Sequence, residues 1–144
     1  MIAAKSTLMH PISEILCRVY NGLVEQGEVV FPLHKVQQDN LNAVVHAVEA
    51  SFAGFRRYPS LNTRAAAYFV FIIKDHPVTD GNKRLALLWL QLFCDALGLK
   101  LVPATSLDAL AVSVEKASVV KMDELVSLVE AALFDGMAKS QPPA

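Results

Sequence analysis

Between Ala65 and Ile73 the chain reads AAAYFVFII, nine residues whose only polar atom outside the backbone is the Tyr68 hydroxyl. Asn62 and Thr63 stand ahead of it as candidate caps, and Pro77 follows. A proline lacks an amide donor and disfavours a helical residue before it, so regular structure stops there. The run is far short of the roughly 20 apolar residues that span a bilayer. It therefore reads as the middle of a helix extending to about Asp75, apolar on every side. Such a helix has no face to give to water and must be surrounded by others.

The rest of the chain supplies those others. Ile12, Ile15, Leu16, Val19 and Leu23 recur at helical spacing, with Pro11 in the first turn, Ser13 nearby, and Gly22 and Gly27 at the end. Leu41, Val44, Val45, Val48 and Phe52 form a second apolar face, capped at Asp39 or Asn40 and closed by Gly54. Leu85, Leu88, Trp89, Leu92, Phe93 and Ala96 line a helix from about Asn82 to Ala96, with Gly98 as its stop and Trp89 in the core. A helix near Leu107–Lys116 and another from about Met122 to Phe134, packed through Leu125, Val126, Val129 and Leu133, complete the set. Glu28 to Leu33 (EVVFPL) is extended in character, but Pro32 keeps it out of a central strand, leaving a loop or a small edge hairpin. The expectation is an all-α, compact single-domain bundle of about six helices over residues 1–139, with at most one small edge hairpin and an unstructured tail at 140–144.

Composition narrows the function. Thirteen Lys plus Arg oppose 14 Asp plus Glu, for a net charge of -1, so nothing global points to nucleic acid. Cys17 and Cys94 lie among apolar residues and read as buried thiols of a reducing compartment, the cytoplasm. The stretch Leu8–Leu16 is broken by His10, Pro11 and Glu14, which argues against a secretory leader and for a protein with no membrane attachment. His10, His34 and His46 have no partners at metal-site spacing.

One segment departs from a bland bundle: His76-Pro77-Val78-Thr79-Asp80-Gly81-Asn82-Lys83-Arg84. It joins the two most hydrophobic helices, so it lies against the core, yet it is mostly polar. Lys83 and Arg84 fall in the first turn of a helix, where positive charge opposes the helix dipole at roughly 0.3–1 kcal/mol each. Free amides at a helix start attract anions, and two added cations make an anion trap suited to a polyphosphate. Gly81 lets the backbone approach the anion, and Asn82 can donate to a phosphate oxygen while shaping the helix start. Asp80 is a hard oxygen ligand appropriate to Mg2+. His76 alone in the segment has an ordinary pKa suited to a general base near neutrality.

HPVTDGNKR resembles the signature of the Fic/Doc family, His-Pro-Phe-x-Asp/Glu-Gly-Asn-Gly/Lys-Arg, at His76, Pro77, Asp80, Gly81, Asn82, Lys83 and Arg84. The apolar helix LALLWLQLF follows as it does in the family, and the short chain looks closest to the death-on-curing branch. The resemblance implies that His76 deprotonates a hydroxyl of a target protein and that Asp80 holds Mg2+. It implies that Gly81 and Asn82 form the anion nest, that Lys83 contributes to phosphate binding, and that Arg84 clamps a phosphate of ATP or another nucleoside triphosphate. Lys83 in place of the Gly of Fic enzymes points to phosphoryl transfer by a toxin held in check by an antitoxin protein. Gly81 matches the Fic form instead, and the alternatives are AMPylation or a non-catalytic phosphate-binding module. Val78 replaces the family's Phe and anchors the loop with a smaller side chain. The resemblance also makes the segment around Val30, Phe31, Pro32 and Leu33 a flap that docks the target by main-chain pairing. Arg56, Arg57 and Tyr58 read as a solvated loop, and a homo-oligomer is left open.

Overall fold

The computed structural model describes residues 8–103, 106–118 and 121–135; the tail expected at 140–144 lies outside them. Six α-helices are present among these residues: α1 (Pro11–Glu25), α2 (Lys35–Val48), α3 (Leu61–Asp75), α4 (Asn82–Leu97), α5 (Leu107–Lys116) and α6 (Met122–Glu130). A π-helical turn, Ala131–Asp135, continues α6. The all-α expectation holds. Every residue from Ala65 to Ile73 is buried, and α3 packs against α2, α4, α5 and α6. A helix apolar all round is thus matched by neighbours on all sides. No helix among the described residues is long and apolar enough to cross a membrane.

The caps differ from those expected in two places. α3 is capped by Ser60, whose hydroxyl accepts from the Thr63 amide at 3.1 Å, rather than by Asn62 or Thr63. α2 begins at Lys35, well before Asp39 and Asn40, and the His34 amide donates to Gln37 Oε1 at 3.1 Å. Asp39 instead pairs with Lys35 one turn back. Phe52 does not extend the apolar face of α2; it is 85% exposed on a two-stranded hairpin, β1 (Ser51–Phe52) with β2 (Phe55–Arg56). Ala53 and Gly54 between the strands have φ of 52° and 83°, as a tight two-residue hairpin turn with left-handed central residues requires. The small hairpin is therefore here, and the segment 28–33 is a loop.

The helical faces also rotate slightly. Ile15 and Leu92 are partly exposed, while Tyr20 and Leu90 are buried. Ser13 is fully buried, and its hydroxyl donates to Asn42 Oδ1 at 2.7 Å, tying α1 to α2. Trp89 is in the core, with its ring against Tyr68 and Phe93. Cys17 and Cys94 are free thiols; burial pushes Cys94 up to about 11.

The Arg56–Tyr58 segment is not a freely solvated loop. Tyr58 is buried and donates to Asp123 Oδ1 at 2.6 Å, and Arg57 donates to the same oxygen at 3.0 Å. Arg56 pairs with Glu49. These arginines fasten the hairpin and α6 to the bundle.

Candidate functional site

α3 ends at His76, which takes a left-handed conformation (φ 51°, ψ 57°), uncommon for residues other than Gly but one in which His, like Asn and Asp, is enriched. This turn swings the chain away from the helix axis and leaves the His76 side chain exposed at the lip of a cleft. Pro77 and Val78 are buried beneath it. The Pro77 carbonyl accepts from Asn40 of α2 at 3.1 Å. Val78 is 3% exposed, so the smaller side chain still reaches the core.

Asn82 does the remaining shaping. Its Oδ1 accepts from the Val78 amide at 3.0 Å, and its Nδ2 donates to the Val78 carbonyl at 2.9 Å. The amide thereby shapes the nest: Oδ1 and one of the two Nδ2 protons are engaged inside the loop, and the second proton is the one the expected bond to a phosphate would use. Gly81 precedes α4 with φ 86°, and a Cβ there would lie 2.7 Å from Val29 Cγ2. Glycine is required twice over, by the backbone angle and by the side chain packed against it.

α4 then starts without any side-chain cap and without an acidic residue in its first turn. Its early amides are left for an anion. The cations of that turn are held from either side by carboxylates. Lys83 Nζ lies 3.1 Å from Glu115 of α5. Arg84 Nη1 donates to the Glu28 carbonyl at 2.6 Å and pairs with the Glu28 carboxylate at 3.1 Å. Asp80 is exposed and has no hydrogen-bond partner among the described residues. Its charge, after burial, helps to push the Tyr20 phenol upward.

The cleft has a volume of about 630 Å³. It brings together all six expected residues: His76, Asp80, Gly81, Asn82, Lys83 and Arg84. It does not include Val30, Phe31, Pro32 or Leu33. Of these, Val30 and Phe31 are exposed, and the Phe31 carbonyl is taken by the Tyr20 hydroxyl at 2.6 Å. The loop reaches the site through Glu28 and Val29 instead. Three more polar lining residues escaped the sequence reading: Gln91, Asp108 and Glu115. Gln91 had a signal, since it follows Arg84, Leu87 and Leu88 on one helical face. Asp108 and Glu115 had none, because only the packing of α5 brings them here.

The donor set suits a particular metal. No three His, Cys, Asp or Glu side chains among the described residues converge as a metal cage. A single free carboxylate beside an anion nest matches Mg2+, which keeps several waters and takes its other ligands from phosphate.

Comparison with curated proteins and with solved structures finds no match. The family model described as Fic/DOC family matches residues 2–94, which takes in α1 to α3, the His76–Arg84 loop and most of α4. That family is in general one of protein-modifying transferases. With well over half of its length matched and the signature loop at the cleft, the chain belongs to the Fic/DOC family.

Proposed function

We propose that the cleft binds a nucleoside triphosphate with its phosphates at the start of α4, and that the protein transfers the terminal phosphoryl group to a hydroxyl of a target protein, as in the death-on-curing branch. The observation that carries this reading is the meeting, in one cleft, of an exposed imidazole, an uncapped helix start with two cations, and an unpartnered carboxylate. A phosphate binder alone needs neither the imidazole nor the carboxylate.

In this reading His76 accepts the proton of the target hydroxyl as its oxygen attacks phosphorus. The bond from phosphorus to the bridging oxygen breaks, and the nucleoside diphosphate leaves. Arg84, Lys83 and the α4 amides hold the phosphate oxygens, and such positioning with charge neutralisation supplies most of the catalysis in phosphoryl transfer. Mg2+, bound through Asp80, would offset charge on the phosphates. Glu28 and Glu115 pair with the two cations through half-exposed ion pairs that a polyphosphate would displace.

Lys83 favours phosphoryl over nucleotidyl transfer. Gly81 does not weigh against it, since the packing of Val29 already demands glycine there. The exposed Val30, Phe31 and Pro32 are the surface offered to the target, a partner antitoxin would restrain the activity, and free thiols suit a cytoplasmic setting.

The test is label transfer from ATP to proteins of a cell extract with Mg2+, run with γ-labelled and α-labelled ATP in parallel. Label from the γ position only, absent with His76→Ala, supports the proposal. Label from the α position means nucleotidyl transfer. No transfer of either label by folded protein leaves a binding module.

A further inference from the structure

The anion nest fills only one end of the cleft. From Arg84 the lining continues along one face of α4 through Leu87 and Leu88 to Gln91. At 1.5 Å of rise per residue, Arg84 and Gln91 are roughly 10 Å apart along the axis, two helical turns. That is the reach from the phosphates of a nucleotide to its sugar and base. Leu87 and Leu88 are half-buried, and Leu23 of α1 adds to the apolar surface. Across the groove stands α5, which presents Asp108. Neither Gln91 nor Asp108 has a side-chain hydrogen-bond partner among the described residues, and both are exposed to the cleft.

The charge pattern gives the groove a direction. The start of α4 offers free amides and two cations held by Glu28 and Glu115 only through half-exposed ion pairs, whereas the far end offers Asp108 and no cation. A polyphosphate that displaces those pairs is held at the first end and repelled at the second. A sugar, which carries hydroxyl donors and no charge, is suited to the carboxylate. A base is flat and apolar on its faces, suited to the leucines, and has a donor–acceptor edge. An amide side chain carries one donor group and one acceptor and can pair with the adenine edge at two points.

We propose that Gln91 and Asp108 form a nucleoside subsite, in which Asp108 accepts hydrogen bonds from ribose hydroxyls and Gln91 reads the edge of an adenine base lying on Leu87 and Leu88. The subsite rests on the proposed nucleotide site at α4. It would make the chain select a ribonucleotide, and it is built in part from α5, beyond the residues matched by the family model.

The test compares binding of ATP, 2′-deoxy-ATP and inorganic tripolyphosphate, all with Mg2+, to the full chain and to Asp108→Asn and Gln91→Leu, by calorimetry. Both residues are exposed, so neither substitution touches the core. Losing a hydrogen bond to a charged group costs about tenfold in affinity. Asp108→Asn should weaken ATP about tenfold and erase the preference over 2′-deoxy-ATP. The same change removes a negative charge from the cleft, so tripolyphosphate should bind as well as before or better. Gln91→Leu should weaken ATP and leave tripolyphosphate unchanged. If Asp108→Asn strengthens ATP and tripolyphosphate alike, Asp108 acts only through its charge and the subsite is wrong. If neither substitution alters ATP binding, it is wrong as well. Failure of the unsubstituted chain to bind either ATP or tripolyphosphate would instead remove the underlying nucleotide site, and the subsite with it.

Discussion

Arg84 is pulled two ways. Its guanidinium donates to the backbone of Glu28 and pairs with that residue's carboxylate, yet the pair is about half exposed on both sides. Exposed ion pairs contribute only about 0.2–1 kcal/mol, so a phosphate can displace this one. Glu28→Gln should therefore raise the affinity for Mg-ATP by roughly 1.4- to fivefold, the conversion of that energy at 1.4 kcal/mol per factor of ten. Isothermal calorimetry decides it. Unchanged affinity would mean that Arg84 does not meet the phosphates, and weaker binding would mean that Glu28 helps to build the site. The competing carboxylate was not legible in the sequence, because Glu28 lies far from Arg84 along the chain and nothing in its neighbours marks it. The role of Asn82 was half legible. Its place at a helix start was plain, but only the geometry shows its amide closed on both sides of Val78.

The loop from Glu28 to Leu33 is the element that connects the site to its surroundings. It carries almost no regular structure, and a few contacts hold it. The amides of Glu28 and Val29 donate to the Leu23 carbonyl, Val29 packs over Gly81, and the Tyr20 hydroxyl of α1 holds the Phe31 carbonyl. Tyr20→Phe keeps the buried ring and deletes one hydrogen bond. Since Phe31 is partly exposed, water can replace the lost donor, and the expected cost is about 1 kcal/mol. For a chain of this length that lowers the melting temperature by roughly 2–4 °C. Hydrogen exchange at 28–31 should speed up more than exchange in α3. If the loop docks the target, KM for the target protein rises while ATP binding is unchanged; a parallel loss of ATP affinity would place the effect on the nest instead. The misplaced hairpin has a similar physical root. Phe52 continues the helical spacing of Leu41, Val45 and Val48, so periodicity alone assigned it to α2. The pair of left-handed residues at Ala53 and Gly54 overrides that spacing, and only the Gly was visible as a signal.

At the scale of the whole molecule, the elements whose apolar pattern and stops agree were readable: α3 with Pro77 behind it and α4 with Gly98, and the span of α5 as well, whereas its Ser106 cap emerges only from the structure. The His76–Arg84 half of the cleft was readable because it is contiguous in sequence. The other half comes from α1, the 28–33 loop and α5, whose approach depends on packing that no local pattern encodes. α6, which closes the bundle on the far end of the chain, is fastened through a polar contact of the same non-local kind. Asp123 in its first turn accepts from Tyr58 and Arg57, and the Tyr58 hydrogen bond leads the effects that hold the Asp123 carboxyl below its ordinary range. A carboxylate depressed in the folded state adds stability that is present above its unfolded pKa, about 3.9, and is lost as pH falls through the folded value. Tyr58 has the opposite sign: burial, then the Asp123 bond, pushes its phenol up, so its contribution is present below the ordinary phenol range and is lost as pH rises past it. Asp123→Asn should therefore melt lower than the unsubstituted chain at neutral pH, with the gap narrowing below about pH 4 and closing once Asp123 is protonated. Tyr58→Phe should flatten the alkaline limb and leave Asp123 nearer its ordinary range. Thermal melts from about pH 2 to about pH 12, spanning the ordinary carboxylate and phenol ranges, on both variants and the double variant check the coupling. A gap independent of pH would mean that α6 is held by packing alone, its buried Val126 and Val129 and the contact of α6 with α3 sufficing, with the Tyr58–Asp123 bond adding nothing.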